Sequence, residues 1–148
     1  MLYSSAEEGA CDLRFGPHVF RWEPPDFGHV IYDGQVDGPM VAALNAQTRQ
    51  ILHGRPWLFL LVDVTRLTKI SSEGRQLAAQ GSRDLNLRGV AMVGASASIR
   101  VLAGLVSRAV ELVSGSGDNP TRFFETEREA RAWINARRRE VRESAKLR

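Results

Sequence analysis

The sequence predicts an α/β protein with a mixed, mostly parallel sheet of about five strands and four helices. Two blocks, Trp57 to Val62 and Gly89 to Val93, are apolar at nearly every position, as in strands covered on both faces. They alternate with stretches that carry apolar residues at helical spacing, which is typical of parallel sheets flanked by helices. Ahead of them, His18 to Trp22 and Gly28 to Tyr32 flank two prolines and predict an antiparallel hairpin that Asp33-Gly34 closes.

Two helices are predicted in the first half of the chain. The first follows the candidate cap Asp37, has Pro39 in its first turn and ends at Gly54. Its apolar positions recur at helical spacing and are Val41, Leu44, Thr48, Ile51 and Leu52. After a polar loop that follows Val62, the run Ser71-Ser72-Glu73 opens a second helix that extends to Leu85.

Two further helices and one strand are predicted after Val93. The third helix starts near Ser96 to Ser98 and ends at Gly115, where the loop Gly115 to Pro120 begins. A short strand covers Thr121 to Glu125, and the capping-box pattern Thr126 to Glu129 then opens the fourth helix. The apolar stripe of the third helix is Ile99, Leu102, Val106, Ala109, Val110 and Val113, and that of the fourth is Ala130, Trp133, Ile134 and Val141.

Length and charge narrow the class of function. The 148 residues fit one domain, and 43% hydrophobic residues suffice for a core without metals or disulfides. Although the isoelectric point is about 9.6, the basic excess lies at one end. From Asn135 onward, six basic and two acidic residues give +4, while the remaining 14 basic and 15 acidic residues give −1. Nucleic-acid binding is therefore disfavoured, and Arg137 to Arg139 are interpreted as part of a solvated helix end.

Cysteine usage and hydropathy indicate a cytoplasmic protein. Cys11 is the single cysteine and has no partner for an internal disulfide. Met1 to Ala10 lacks the cationic and apolar pattern of a signal peptide. The run Trp57 to Val62 is far shorter than the roughly 20 apolar residues that span a membrane. We therefore expect a soluble, reduced protein without a membrane span.

The residue spacings do not predict an enzyme. His18, His29 and His53 lack the close or helical spacing that converges on a metal ion. The glycines around Gly115 do not complete a dinucleotide or phosphate loop, and Gly94 to Ser98 lacks the closing glycine of a nucleophile elbow. We expect no catalytic residues, no metal and no cofactor.

The stretch from Asp63 to Gly74 is the most informative part of the sequence. A buried strand ends in a carboxylate, and a serine stands where the next helix begins. A phosphate on that serine would gain from the partial positive charge of the helix N-terminus. In the purely structural interpretation, Ser71 or Ser72 is the N-cap and Glu73 belongs to the first turn. Asp63 and Thr65 are expected to be structural, with hydrogen bonds that tie the loop to the helix terminus.

These motifs resemble the STAS domains, in particular their SpoIIAA-like members, the anti-sigma factor antagonists. The loose family pattern is Asp-Leu-Ser, four or five residues, then Asp-Ser-Ser-Gly. Asp63-Val-Thr65 matches its first part, and Ile70, Ser72 and Gly74 fall in register with its second. Ser71 replaces the second Asp and Glu73 the second Ser, so the chain is closer to a divergent branch. The ending Phe123 to Trp133 resembles that branch as well.

The resemblance implies a regulatory module without chemistry of its own that binds a protein partner, either an anti-sigma factor or a kinase-like regulator. Ser72 is the candidate phosphoacceptor, and Glu73 places a permanent negative charge beside it. We name as the candidate partner face Thr65, Lys69, Ser71, Ser72, Glu73, Arg75 and Ser96. The domain is predicted over residues 17–136, between an extension at 1–16 and a basic C-terminal end at 137–148. Small-molecule or lipid binding in the same fold is the alternative function, and the sequence leaves a homodimer open.

Overall fold

The computed structural model describes residues 9–83, 85–104 and 121–147. The strands in this part of the chain are β1 (Cys11–Phe15), β2 (His18–Glu23), β3 (Phe27–Val36), β4 (Leu58–Ile70), β5 (Leu87–Val93) and β6 (Thr121–Phe124). The helices are α1 (Gly38–Leu52), α2 (Ser72–Ser82), α3 (residues 97–104) and α4 (Glu127–Lys146). The remainder of the predicted third helix and the loop Gly115 to Pro120 lie outside the described residues, as do residues 1–8 of the predicted extension.

The strands form one six-stranded sheet in the order of the chain, β1 to β6. β1, β2 and β3 pair antiparallel, and β3, β4, β5 and β6 pair parallel. The predicted fold class is confirmed. The prediction of about five strands omitted β1, although Cys11, Leu13 and Phe15 alternate with Asp12 and Arg14 at the strand period of two. Gly16, with φ +60, makes the tight turn into β2.

β3 and β4 are longer than the sequence predicted because they contain β-bulges. The register shifts twice between them, from Ile31 to Asp33 and from Gly34 to Gln35, and each time β4 has one more residue than β3. Asp33-Gly34 therefore lies within β3 and does not close the hairpin. In β4 the bulges leave apolar residues at every third position, Val64, Leu67 and Ile70. Without an alternation of period two, this part of the strand was predicted as a loop.

Two apolar cores cover the two faces of the sheet. One core joins Phe59 and Leu61 of β4 to Ala130, Ile134 and Val141 of α4. On the opposite face, Leu58 of β4 packs in a second core with Leu44 and Leu52 of α1 and with Phe20 and Trp22 of β2. Leu58, Phe59 and Leu61 are fully buried, as the uninterrupted apolar block Trp57 to Val62 predicted. Burial of apolar surface in these two cores stabilises the fold by about 25 cal/mol per Å².

The N-caps that the sequence predicts for α1 and α4 are confirmed. Asp37 caps α1 by accepting a hydrogen bond from the Met40 amide at 3.0 Å. Thr126 caps α4 through the Glu129 amide at 3.2 Å. The second helix is shorter than predicted, since α2 ends at Ser82, before Leu85.

Arg137, Arg138 and Arg142 hold α4 against the sheet, so the interpretation of a solvated helix end fits Arg139, which is exposed, but not Arg137 and Arg138. Arg138 reaches the carboxylate of Asp26 at 2.7 Å and Arg142 reaches it at 3.3 Å. The Trp57 indole N–H also donates to this carboxylate, which is only 2% exposed. Arg137 donates to the carbonyl oxygen of Arg88 at 2.9 Å. Asp26 is thus a buried charge whose hydrogen bonds come from two arginines and one indole.

A buried histidine lies under the first turn of α4. The His29 ring is 3.5 Å from the Glu127 carboxylate and 3.4 Å from the Arg131 guanidinium. Burial lowers the pKa of His29 below 6.5, against the opposing effect of Glu127. Burial thus favours the neutral ring, whose Nδ1 atom lies within hydrogen-bond distance of the Arg131 guanidinium.

Replacing Asp26 should destabilise the fold strongly. In Asp26→Ala, the partly buried guanidinium of Arg138 and the Trp57 indole lose their acceptor, so the free energy of unfolding should fall by about 3 kcal/mol. The matched control is Asp12→Ala, which removes the half-exposed Asp12–Arg21 ion pair and should cost less than about 1 kcal/mol. Urea denaturation followed by circular dichroism measures both. Equal losses in the two variants would contradict the role assigned to Asp26.

Candidate functional site

The candidate partner face lies at the carboxyl ends of β3, β4 and β5, where α1, α2 and α3 begin. Asp37 caps α1, Ser71 caps α2, and the Ser96 hydroxyl accepts from the Ile99 amide in α3. Ligands and partners of open α/β sheets commonly bind at this end, because helix N-termini and short connections converge there.

The structure gives Ser71 and Ser72 different roles. The Ser71 hydroxyl accepts from the Gly74 amide at 3.0 Å, and the Ser71 amide donates to the Val36 carbonyl at 3.0 Å. Ser71 is therefore the N-cap, and Ser72 is the first residue of α2. Ser72 is exposed, and its hydroxyl accepts from the Arg75 guanidinium at 3.1 Å. Arg75 also donates to the Ile70 carbonyl, which keeps the guanidinium beside Ser72.

Glu73 lies against the N-terminus of the neighbouring helix α1. A Cβ atom placed on Gly38 would collide with the Glu73 carboxylate. α1 has the N-cap Asp37 but no acidic residue within its first turn, so Glu73 adds a second negative charge close to that helix N-terminus. Sequence reasoning placed Glu73 beside Ser72 but did not predict this contact, because no local pattern shows that the two helix N-termini are adjacent.

Asp63 and Thr65 interact within β4. The Asp63 carboxylate accepts from the Thr65 amide at 3.0 Å, so this bond is local and does not reach the α2 terminus as expected. Thr65 also lies against Gly94, where a Cβ atom would overlap the threonine side chain. Since Gly94 has φ +72, glycine is required there both by space and by backbone conformation. The chain leaving β5 thereby passes directly over Thr65.

The remaining residues of the face extend along β4. Lys69 is exposed and lies opposite Gln35 of β3. Sequence reasoning missed Arg66, which is 73% exposed and forms an ion pair with Asp33 at 3.2 Å. In the sequence, Arg66 stands out only as a basic residue within a stretch whose pattern predicts a polar loop, so nothing marks it as part of an exposed strand. Ser71, Ser72, Glu73 and Arg75 lie together at the start of α2, whereas Thr65 and Lys69 belong to β4 and Ser96 precedes α3.

A cavity of about 820 Å³ lies beneath the face, between the sheet and helices α1, α2 and α3. Val64, Leu67 and Ile70 of β4 line it together with Met92 of β5 and Ile99 of α3. Tyr32 also lines it, and burial raises the pKa of its hydroxyl to about 12. The volume is within the range of small-molecule pockets, so binding of a small molecule or lipid stays a prediction.

Within residues 9–83, 85–104 and 121–147, His, Cys, Asp and Glu side chains form no group of three or more that could hold a metal ion. In the same ranges, no helix combines the length and apolar character that a membrane span requires.

No protein-family model and no curated protein matches the sequence. Several solved structures share the fold, and two of them are described by their similarity to this chain. One is an uncharacterized protein of the DUF3478 family with a SpoIIAA-like fold from Shewanella loihica PV-4, which is 16% identical with a TM-score of 0.56 over 84% of this chain and 91% of that chain. The other is the anti-sigma factor antagonist SpoIIAA in its unphosphorylated form, which is 14% identical with a TM-score of 0.54 over 78% of this chain and 96% of that chain. The chain therefore has a SpoIIAA-like fold, as the sequence predicted.

The two serines should respond differently to alanine. Ser71→Ala removes the acceptor that caps α2, so the free energy of unfolding should fall by about 1 kcal/mol. Ser72→Ala is the matched control, since it removes only an exposed contact with Arg75 and should change stability by less than about 0.5 kcal/mol. Thermal or urea unfolding measures the difference. A larger loss in Ser72→Ala than in Ser71→Ala would show that the N-cap is wrongly assigned.

Proposed function

We propose that this chain is a cytoplasmic regulatory module without catalytic activity that binds a protein partner through the candidate partner face. Ser72 is the residue whose phosphorylation controls binding. The partner is an anti-sigma factor or a kinase-like regulator. The observation that carries the proposal is the exposed Ser72 hydroxyl in the first turn of α2, with Arg75 held beside it.

The surroundings of Ser72 suit a phosphate. The group adds a charge of about −1.5 to −2. At the start of α2 it meets the partial positive charge of the helix N-terminus, and the Arg75 guanidinium is within reach for a charge-assisted bond. These contacts stabilise the modified serine without a change in the fold.

Glu73 opposes the phosphate through like charge. Two unit charges 4 Å apart repel by about 1 kcal/mol in water and about 4 kcal/mol at an effective dielectric constant of 20. The Glu73 carboxylate lies against Gly38 and is open to solvent, so the lower value applies. Arg75 offsets this repulsion, and Glu73 therefore leaves Ser72 usable as a phosphoacceptor.

The fold supports a binding role, since one protein that shares it is an anti-sigma factor antagonist described in its unphosphorylated form. For this chain, we infer the absence of catalysis from the sequence. Its residue spacings match no known arrangement of a nucleophile with a base, and no group of metal ligands. A phosphate at Ser72 would also add charge to a face on which Arg75 and Lys69 are the nearby cations, and so would change which partners that face attracts.

The test is a mass-spectrometric phosphosite map of the protein from its own cells, paired with pull-downs of Ser72→Asp and Ser72→Ala. We expect phosphate at Ser72 and a partner that Ser72→Ala retains and Ser72→Asp releases. The matched controls are Ser144→Asp and Ser144→Ala, which alter an exposed serine near the far end of α4 and should leave the partner bound.

The absence of phosphate at Ser72, together with identical partners for Ser72→Asp and Ser72→Ala, would contradict the switch. Release of the partner by Ser144→Asp as well would show a general effect of charge and would contradict a specific role for Ser72.

A further inference from the structure

Part of β4 has a neighbouring strand on one side only. β5 pairs with β4 as far as Asp63, which lies opposite Val93, whereas β3 continues to pair as far as Ile70, opposite Val36. The chain that leaves β5 covers Thr65 at Gly94, so residues 66–70 of β4 form an open edge, defined by the absence of any second partner strand among the described residues. The backbone N–H and C=O groups on that side are a template for another strand.

Along this open edge, the two faces of the sheet carry side chains of different chemistry. Leu67 and Ile70 point into the apolar cavity, and Ile99 of α3 lines the cavity nearby. Arg66 and Lys69 are exposed and do not line the cavity. Any strand added here would present alternate side chains to an apolar pocket and to a cationic surface.

Positive charge is in excess on the cationic side. Arg66 is balanced by Asp33 at 3.2 Å, and within the described part of the chain Lys69 has no carboxylate within 4.0 Å. Asp63, which precedes the open edge, is engaged by the Thr65 amide. An acidic side chain on an incoming strand therefore has Lys69 as its counterion.

We propose that the open edge binds an extended segment of a partner protein by strand addition, and that this segment alternates apolar with acidic residues. The apolar side chains enter the cavity beside Leu67 and Ile70, and the acidic ones face Lys69 and Arg66. The inference rests on the proposed function, because it specifies how the partner of the same face is held.

A second copy of this chain is a poor occupant of the open edge. Antiparallel pairing of two such edges would place Arg66 and Lys69 of both copies together on one exposed surface. Like charges that face each other across a strand pair destabilise it.

The experiment uses the full chain and the synthetic peptide acetyl-Val-Glu-Val-Glu-Val-Glu-amide. Backbone amide shifts in NMR spectra should change in residues 66–70 and around Ile99. Two control peptides separate the contributions. One has lysine in place of glutamate, and the other carries N-methyl groups that block strand pairing. Neither control should bind measurably at concentrations where the acidic peptide does.

A charge reversal tests the cationic side. Lys69→Glu should weaken binding of the acidic peptide by about fivefold, as expected for one exposed ion pair, and should allow the lysine peptide to bind. Lys146→Glu, which alters an exposed lysine at the end of α4, is the matched control and should leave the affinity unchanged. Both side chains are exposed, so neither variant should impair folding.

Shift changes away from the open edge, or equal binding of the N-methylated peptide, would overturn the proposal. It would also be overturned if a partner captured in the Ser72 pull-downs bound Lys69→Glu as well as wild type. That result would leave the role of Ser72 intact. Conversely, peptide binding at the open edge without any phosphate at Ser72 would support strand addition and contradict the switch.

Discussion

The structure depends on the burial of one strand, β4, between two separate apolar cores. Phe59 and Leu61 enter the core under α4, and Leu58 enters the core with α1. All three side chains are fully buried, so the first half of the strand cannot shift its register without exposing both cores. α1, α2 and α4 are positioned by this strand or by the loops that enter and leave it.

The second half of β4 follows a different constraint. Beyond Asp63 the strand keeps β3 but loses β5, and its two bulges turn every third residue toward the cavity. The strand then ends directly at the cap of α2, where the Ser71 amide bonds to the Val36 carbonyl. The rigid first half thus fixes the position of an exposed second half that carries Arg66 and Lys69. The first turn of α2 follows directly and carries Ser72 and Arg75.

The parts of the fold that local patterns determine could be predicted from the sequence. The apolar block Trp57 to Val62 and the caps Asp37 and Thr126 need only neighbouring residues, and all were predicted correctly. The end of β4 could not be predicted, because its bulges remove the alternation of apolar and polar residues that identifies a strand. The role of Arg138 was missed because its partner Asp26 is 112 residues away. For the same reason, the contact of Glu73 with Gly38 had no signal in the sequence.

The division of β4 into a locked half and an open half is tested most directly by native-state hydrogen exchange. The account predicts that the amides of Phe59 to Val62 exchange only through global unfolding. Amides of residues 66–69 that face away from β3 should exchange on the order of 100-fold faster or more, because opening them requires no loss of either core. Uniform protection along the whole of Leu58–Ile70 would contradict the account.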